Sequence, residues 1–190
     1  MQLILASSSF YRKQLLTKLG LSFVCVSPDI DETPIATEKV DELTLRLAKE
    51  KAYEVSKKHQ GIIIASDQNA VLGNKLLTKP NNFDNAFKQL KKSSDKTITF
   101  FTSICLLNTY TNNMQLDVDC YEVTFRKLTD NEITNYLKKD KPYDCVGSFK
   151  SEGLGIALFK KLKGDDPNTL IGLPLIKLIK MLKNENISVL

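Results

Sequence analysis

Three serines leading into an arginine, an aspartate closing an apolar run, and two lysines outside any basic block are the residues of this chain best equipped for chemistry. Leu3-Ile4-Leu5-Ala6 passes through Ser7-Ser8-Ser9 into Phe10-Tyr11-Arg12-Lys13. A strand that enters a helix through small hydroxyl residues can hold an anion. The helix end offers unpaired N–H groups and the positive end of its dipole. The serines cap and donate, and Arg12 adds a fork of donors shaped for phosphate oxygens. Asp67 follows Ile62-Ile63-Ile64-Ala65-Ser66, at the expected carboxyl end of a strand, where open α/β sheets place their ligands. A carboxylate there must be hydrated, paired or bound to a metal. Asp29, Asp31 and Glu32 add hard oxygen donors suited to Mg²⁺ or Mn²⁺. Lys51, beside Ala48 and Ala52, and Lys79, before Pro80, are candidate point charges for phosphate. Each group also has a plainer reading as a capped junction, a turn aspartate, a solvated acidic loop or a surface lysine. Taken together they equip a site for phosphoanhydride hydrolysis, in which cations neutralise phosphate while a carboxylate takes a proton from water. No P-loop sequence is present, which excludes a Walker-type NTPase.

The elements that must position these residues follow from apolar periodicity. Leu3–Ala6 reads as a first strand. Arg12–Leu19 reads as a helix with Leu15, Leu16 and Leu19 on one face, stopped by Gly20. Ser22–Ser27 reads as a second strand before Pro28, and a helix from Val40 to Lys58 presents Leu43, Leu47, Ala48, Ala52 and Val55. The strand opened by Gly61 is expected to end at Ser66-Asp67-Gln68, with a hairpin turning at Gly73-Asn74. A helix carries Phe83, Ala86, Phe87 and Leu90. Thr97–Leu107 and Gln115–Leu128 form an antiparallel pair. Thr129-Asp130-Asn131-Glu132 is a capping box. Cys145–Phe159 reads as strand and turn, and Pro174–Leu182 as the last helix. Helices interleaved with strands, then a long antiparallel pair, predict an α/β or α+β fold with a mixed sheet.

Composition narrows the function classes. The apolar fraction of 42% and charged fraction of 26% fit one globular domain spanning 1–190, or two small lobes. No apolar run reaches the roughly 20 residues of a membrane span, and no secretory signal is apparent, which predicts a cytoplasmic protein. The net charge of +5 is scattered and suits an anionic small molecule better than a stable nucleic-acid partner. Cys25, Cys105, Cys120 and Cys145 lack metal spacing and are expected to be buried free thiols. The single histidine, His59, lies in a polar segment, which argues against Ser-His-Asp or Cys-His catalysis. Gly153 and Gly155 mark a tight turn, not a dinucleotide fingerprint.

The stretches LILASSSFYRKQLL, DIDETP, RLAKEKA, IIIASDQ, TKP, VGSFKSEGLGIALF and GDDPNTLIGLPL run in order from Leu3 to Leu182. In that order they resemble the Maf family of nucleoside triphosphate pyrophosphatases, most closely the YceF-like branch acting on N7-methyl-GTP. The resemblance implies an elongated α/β fold: a mixed central sheet flanked by helices, with two lobes around a nucleotide cleft, forming a homodimer. It implies hydrolysis of a nucleoside triphosphate to the monophosphate and pyrophosphate with a divalent metal, Mg²⁺ or Mn²⁺. By match to the family motifs, Asp67 is the base and Ser7, Arg12 and Lys13 form the phosphate loop. Lys51 and Lys79 add phosphate contacts, and Glu32 is the metal-linked carboxylate beside Asp67. Tyr11, Gln68 and Glu152 match positions tied to base selection. The methylated purine is cationic, so an aromatic ring and a carboxylate suit it. Phe10 stands where the family has proline and Thr78 where it has glycine. These departures predict changes in loop entry and in the backbone near Lys79, without loss of a charge. The competing readings are a pyrophosphatase for dTTP- or UTP-type nucleotides and a non-catalytic nucleotide-binding regulator of cell division.

Overall fold

The computed structural model describes all 190 residues, Met1–Leu190. Strands and helices interleave through the first half of the chain: β1 Leu3–Ala6, α1 Phe10–Thr17, β2 Phe23–Val26, α2 Val40–Ser56, β3 Ile62–Leu72, β4 Lys75–Leu77 and α3 Phe83–Ser93. The hairpin of β5 Thr97–Asn108 and β6 Asn113–Phe125 follows, then α4 Asp130–Asp140, β7 Phe159–Lys163, α5 Pro167–Ile171 and α6 Leu175–Asn184. Seven strands form one sheet in the order β2-β1-β3-β5-β6-β7, with β4 paired to β3. β1 pairs in parallel with both β2 and β3, and α1 and α2 make the crossovers that parallel strands require. The β3–β4 and β6–β7 pairs are antiparallel. The short turn between β5 and β6 allows only an antiparallel pair. This is the mixed α/β sheet that the sequence predicts. No helix is long and apolar enough to cross a membrane.

The chain forms two compact units. The first comprises Met1–Gln68, Phe101–Asp119 and Asp166–Leu190; the second comprises Asn69–Phe100 and Cys120–Asp165. In the first unit β1 is buried on both faces, as a central parallel strand must be. Leu3 and Leu5 join Leu15, Leu16 and Leu178 in one cluster. Ile4 and Ala6 join Ala48, Ala52 and Val55 in the other. The period of two along the strand sends alternate side chains to helices on opposite faces.

The second unit closes around aromatic rings. Phe149 meets Phe100, Phe125 and Phe159 edge-on, with centroids 5.5, 5.6 and 4.9 Å away. α4 opens on the expected capping box: the Thr129 hydroxyl accepts from the Glu132 N–H, and the Glu132 carboxylate accepts from the Thr129 N–H at 2.8 Å.

Four expectations need correction. β3 does not end at Ser66-Asp67-Gln68 but continues to Leu72, because those polar residues find partners within the fold, at Gly172 after α5, Lys51 of α2 and Ser103 of β5. Cys145–Phe159 holds no strand before Phe159. Two 3₁₀ turns occupy Val146–Ser148 and Leu154–Leu158, and a Cβ on Gly155 would stand 2.2 Å from the Lys150 carbonyl oxygen. α5 was not anticipated, although Asp166 caps it and Pro167 takes its first turn. Of the four free cysteines only Cys105 is buried; burial pushes its thiol up to about 12, which keeps it protonated and unreactive.

Candidate functional site

The first unit gathers one charge cluster from four separate stretches of chain. Lys51 rises from the buried face of α2 between Ala48 and Ala52. Its Nζ lies 2.6 Å from Asp67 Oδ1 on β3 and 2.6 Å from Glu32 Oε1 on the loop after β2. Lys51 and Asp67 are each only 6% exposed, so the pairing is what makes both charges tolerable in the interior. The Asp67 backbone N–H donates to Ser103 Oγ at 3.2 Å, and the Ser103 hydroxyl donates to the Thr44 carbonyl at 2.7 Å. A strand, a helix and a neighbouring strand therefore fix the carboxylate.

Arg12 shares this field. Burial draws its guanidinium below the usual range, and the carboxylates of Asp67 and Glu32 oppose that shift. Its Nε donates to the Gly172 carbonyl at 2.9 Å, which leaves the two terminal nitrogens as the fork for an anion. The same carbonyl accepts from the Ser66 hydroxyl at 2.8 Å. Gly172 lies at φ +123, and a Cβ there would stand 3.4 Å from Arg12 Nε. The positive φ is what favours glycine there, since a Cβ would meet the arginine only at ordinary contact distance.

The serine loop forms as its residue types demand. Ser9 caps α1, its Oγ accepting from the Arg12 N–H at 3.4 Å, and Ser7 Oγ accepts from the Ser9 N–H at 3.1 Å. Both hydroxyls act as acceptors here, so their hydrogens are the part left to donate to an anion. Phe10 takes the first helical position, the one proline favours, so its replacement of proline leaves the helix entry in place. The helix begins two residues earlier than its periodicity predicts, because the capping serine and not the first leucine sets its start.

The remaining candidates divide between the units. Lys13 is exposed on α1. Tyr11, half-buried on the same helix, packs edge-on to Phe10 at 6.1 Å. Gln68 sits next to Asp67, but its Nε2 donates to Thr102 Oγ1 at 3.0 Å and to the Thr169 and Leu170 carbonyls at 2.9 and 3.2 Å. That amide nitrogen clamps β3 to α5. Lys79 and Glu152 belong to the second unit, and both are exposed. The chain before Lys79 is anchored where Gln89 of α3 donates to the Thr78 carbonyl at 3.1 Å. Of the acidic loop, Asp29 and Asp31 stay outside the cluster. Asp31 accepts from the Thr33 N–H and hydroxyl, which hold its carboxyl below the usual range. The residues that sequence reasoning missed are Ser66, Ser103 and Gly172. Ser66 adjoins Asp67 and could have been suspected, whereas Gly172 acts through a carbonyl that every residue type possesses.

The donor set bears on a metal. No three His, Cys, Asp or Glu side chains cluster. Two carboxylates converge on one cation, however, and Mg²⁺ characteristically takes one or two carboxylates and completes its shell with water and substrate phosphate. Glu32 and Asp67 fit that pattern.

A family model described as Maf-like protein matches residues 2–185. A protein of Pseudoalteromonas atlantica named 7-methyl-GTP pyrophosphatase is 52% identical over 189 residues, covering 100% of this chain and 97% of its own length. Proteins with the same name from Nitrosococcus oceani and Vibrio parahaemolyticus are 49% and 48% identical. They cover 99% and 100% of this chain and 95% and 98% of their own lengths. From the serine loop to the tract around Gly172, the chain belongs to the Maf family.

Proposed function

We propose that the protein is a nucleoside triphosphate pyrophosphatase that hydrolyses N7-methyl-GTP to the monophosphate and pyrophosphate, clearing a modified nucleotide from the pool. The observation that carries this reading is the buried Lys51 bridging Glu32 and Asp67, with Arg12 in the same field. A triphosphate needs cations around its oxygens and a carboxylate beside the attacked phosphorus, and this cluster supplies both. Full-length relatives at about half identity carry the name of that activity. Ser7, Arg12 and Lys13 bind the phosphates, and Lys51 helps to neutralise them. Asp67 orients the attacking water and takes its proton, so that the bond between the α- and β-phosphates breaks with pyrophosphate as leaving group. Glu32 and Asp67 would hold Mg²⁺ or Mn²⁺, which when bound adds positive charge against the phosphates. Lys79 is assigned a further phosphate contact, and Tyr11, Gln68 and Glu152 the reading of the base, from the family motifs. The charge of the methylated purine suits the Tyr11 ring and the Glu152 carboxylate.

The test is product release from N7-methyl-GTP, GTP, dTTP and UTP, each with Mg²⁺, with Mn²⁺ and with a chelator. The expected result is metal-dependent formation of monophosphate and pyrophosphate, fastest with N7-methyl-GTP. Preference for dTTP or UTP refutes the substrate. Binding without turnover under every condition refutes the enzyme.

A further inference from the structure

Lys51 stands where a metal would have to be received. Its ammonium lies 2.6 Å from one oxygen of each carboxylate, and its side chain is 8% exposed, as is that of Asp67. Two carboxylates, Lys51 and Arg12 make a cluster whose charges cancel. A divalent ion arriving alone at those oxygens meets a positive charge already seated between them, in surroundings that screen poorly. Arriving with a polyanion, it meets a different balance. The phosphate oxygens offer the ammonium new partners, and the carboxylates are released to the metal. Glu32 is the carboxylate best placed to adjust, since its side chain is 59% exposed and lies on a loop.

We propose that Lys51 is a resident substitute for the metal: it keeps Glu32 and Asp67 converged while nucleotide is absent, and yields them when a triphosphate draws its ammonium away. The inference rests on the pyrophosphatase reading above. Metal and nucleotide then strengthen each other's binding through one lysine, and the coupling is reciprocal. The enzyme is loaded by the metal–nucleotide pair and not by the metal first.

Mn²⁺ alone is the probe, titrated into the nucleotide-free protein with free Mn²⁺ followed by electron paramagnetic resonance. Lys51→Met keeps an unbranched stem and removes the charge. It should bind Mn²⁺ about 10-fold tighter than the wild type or more. Mn²⁺ should also raise its melting temperature by more than it raises that of the wild type. Adding Glu32→Gln should abolish the gain. If Lys51→Met does not fold, Lys51→Gln, whose neutral amide can still donate to a carboxylate, carries the same expectation. Mn²⁺ affinity no higher in the folded Lys51 variant than in the wild type overturns the proposal. A wild type that releases pyrophosphate only with metal, combined with that result, refutes the substitute role alone. A wild type that releases none with any metal refutes the underlying pyrophosphatase reading, and the Mn²⁺ titration still decides the role of the lysine.

Discussion

The two units use their buried positions in opposite ways. The first places a lysine, an aspartate and a half-buried arginine among apolar strands, and holds them with a glutamate from a loop and a carbonyl from a turn. The second fills its interior with phenylalanine rings packed edge to face and leaves its candidate functional residues, Lys79 and Glu152, exposed. Buried ion pairs roughly offset their own desolvation and add little net stability. Packed aromatic rings contribute by area and by edge-to-face geometry. The first unit has its own apolar clusters for stability, so conservative changes in its charge cluster should abolish activity in a folded protein, whereas ring truncation in the second should unfold it.

The largest expected effect tests the second half of that contrast. Phe149→Ala removes a ring that touches three others, and should cost roughly 3–5 kcal/mol in a urea titration. A loss under about 1 kcal/mol would show that the ring cluster does not hold the unit together. Asp67→Asn is close in shape and leaves Lys51 paired with Glu32. It should lower kcat about 100-fold or more with little change in melting temperature. Near-normal turnover in the folded variant would remove Asp67 from the chemistry. Arg12→Ala should weaken every triphosphate alike, by roughly 1.5–3 kcal/mol, because a phosphate contact cannot distinguish bases. Loss confined to one nucleotide would move Arg12 to the base.

The contrast sharpens at Glu152, one of the two candidates for chemistry in the second unit. Glu152→Gln keeps the reach of the side chain and removes its charge. The ratio of kcat/KM for N7-methyl-GTP over GTP should fall about 10-fold, and Tyr11→Leu should lower it further, by the equivalent of about 0.5–2 kcal/mol. An unchanged ratio in both variants places base selection elsewhere. The smallest effect is in acid. Hydrogen bonds from the Thr129 N–H and hydroxyl and from Arg126 lower the Glu132 carboxyl from 4.5 to about 2. A group lowered on folding stabilises above its unfolded value and loses that contribution as pH falls through the folded one. Thermal midpoints of the wild type should therefore drop between pH 4.5 and about 2 more steeply than those of Glu132→Gln. Parallel curves would mean that this cap does not contribute.

Where a side chain alone decides structure, the sequence is easily read. The apolar run Leu3-Ile4-Leu5-Ala6, the run at Ile62 and the Thr129–Glu132 box each specify their element locally. So do the pieces of the site, since Asp67, Lys51, Arg12 and Glu32 are conspicuous by type. What stays hidden depends on partners far along the chain. Ser66-Asp67-Gln68 looks like the end of a strand until Gly172, Lys51, Thr102 and Thr169 supply partners within the fold. α5, five residues long, is too short to show a period and is announced only by its Asp-Pro start. The turns around Gly147 and Gly155 are set by close approach and by a positive φ at Gly147, which hydropathy does not record.

The seat of Arg12 lies 160 residues further along the chain, at Gly172, and that of Ser66 lies 106 residues further, at the same carbonyl. A chain is made from its amino end at roughly 5–20 residues per second. For on the order of five to twenty seconds, then, a nascent polypeptide carries the serine loop, Lys51, Glu32 and Asp67 without the backbone atom that aims the arginine. Chains cut short before Gly172 keep both carboxylates and Lys51 yet lack the carbonyl that fixes the anion fork. The proposed anion fork thus awaits synthesis of the tract around Gly172, long after the residues it serves have been made.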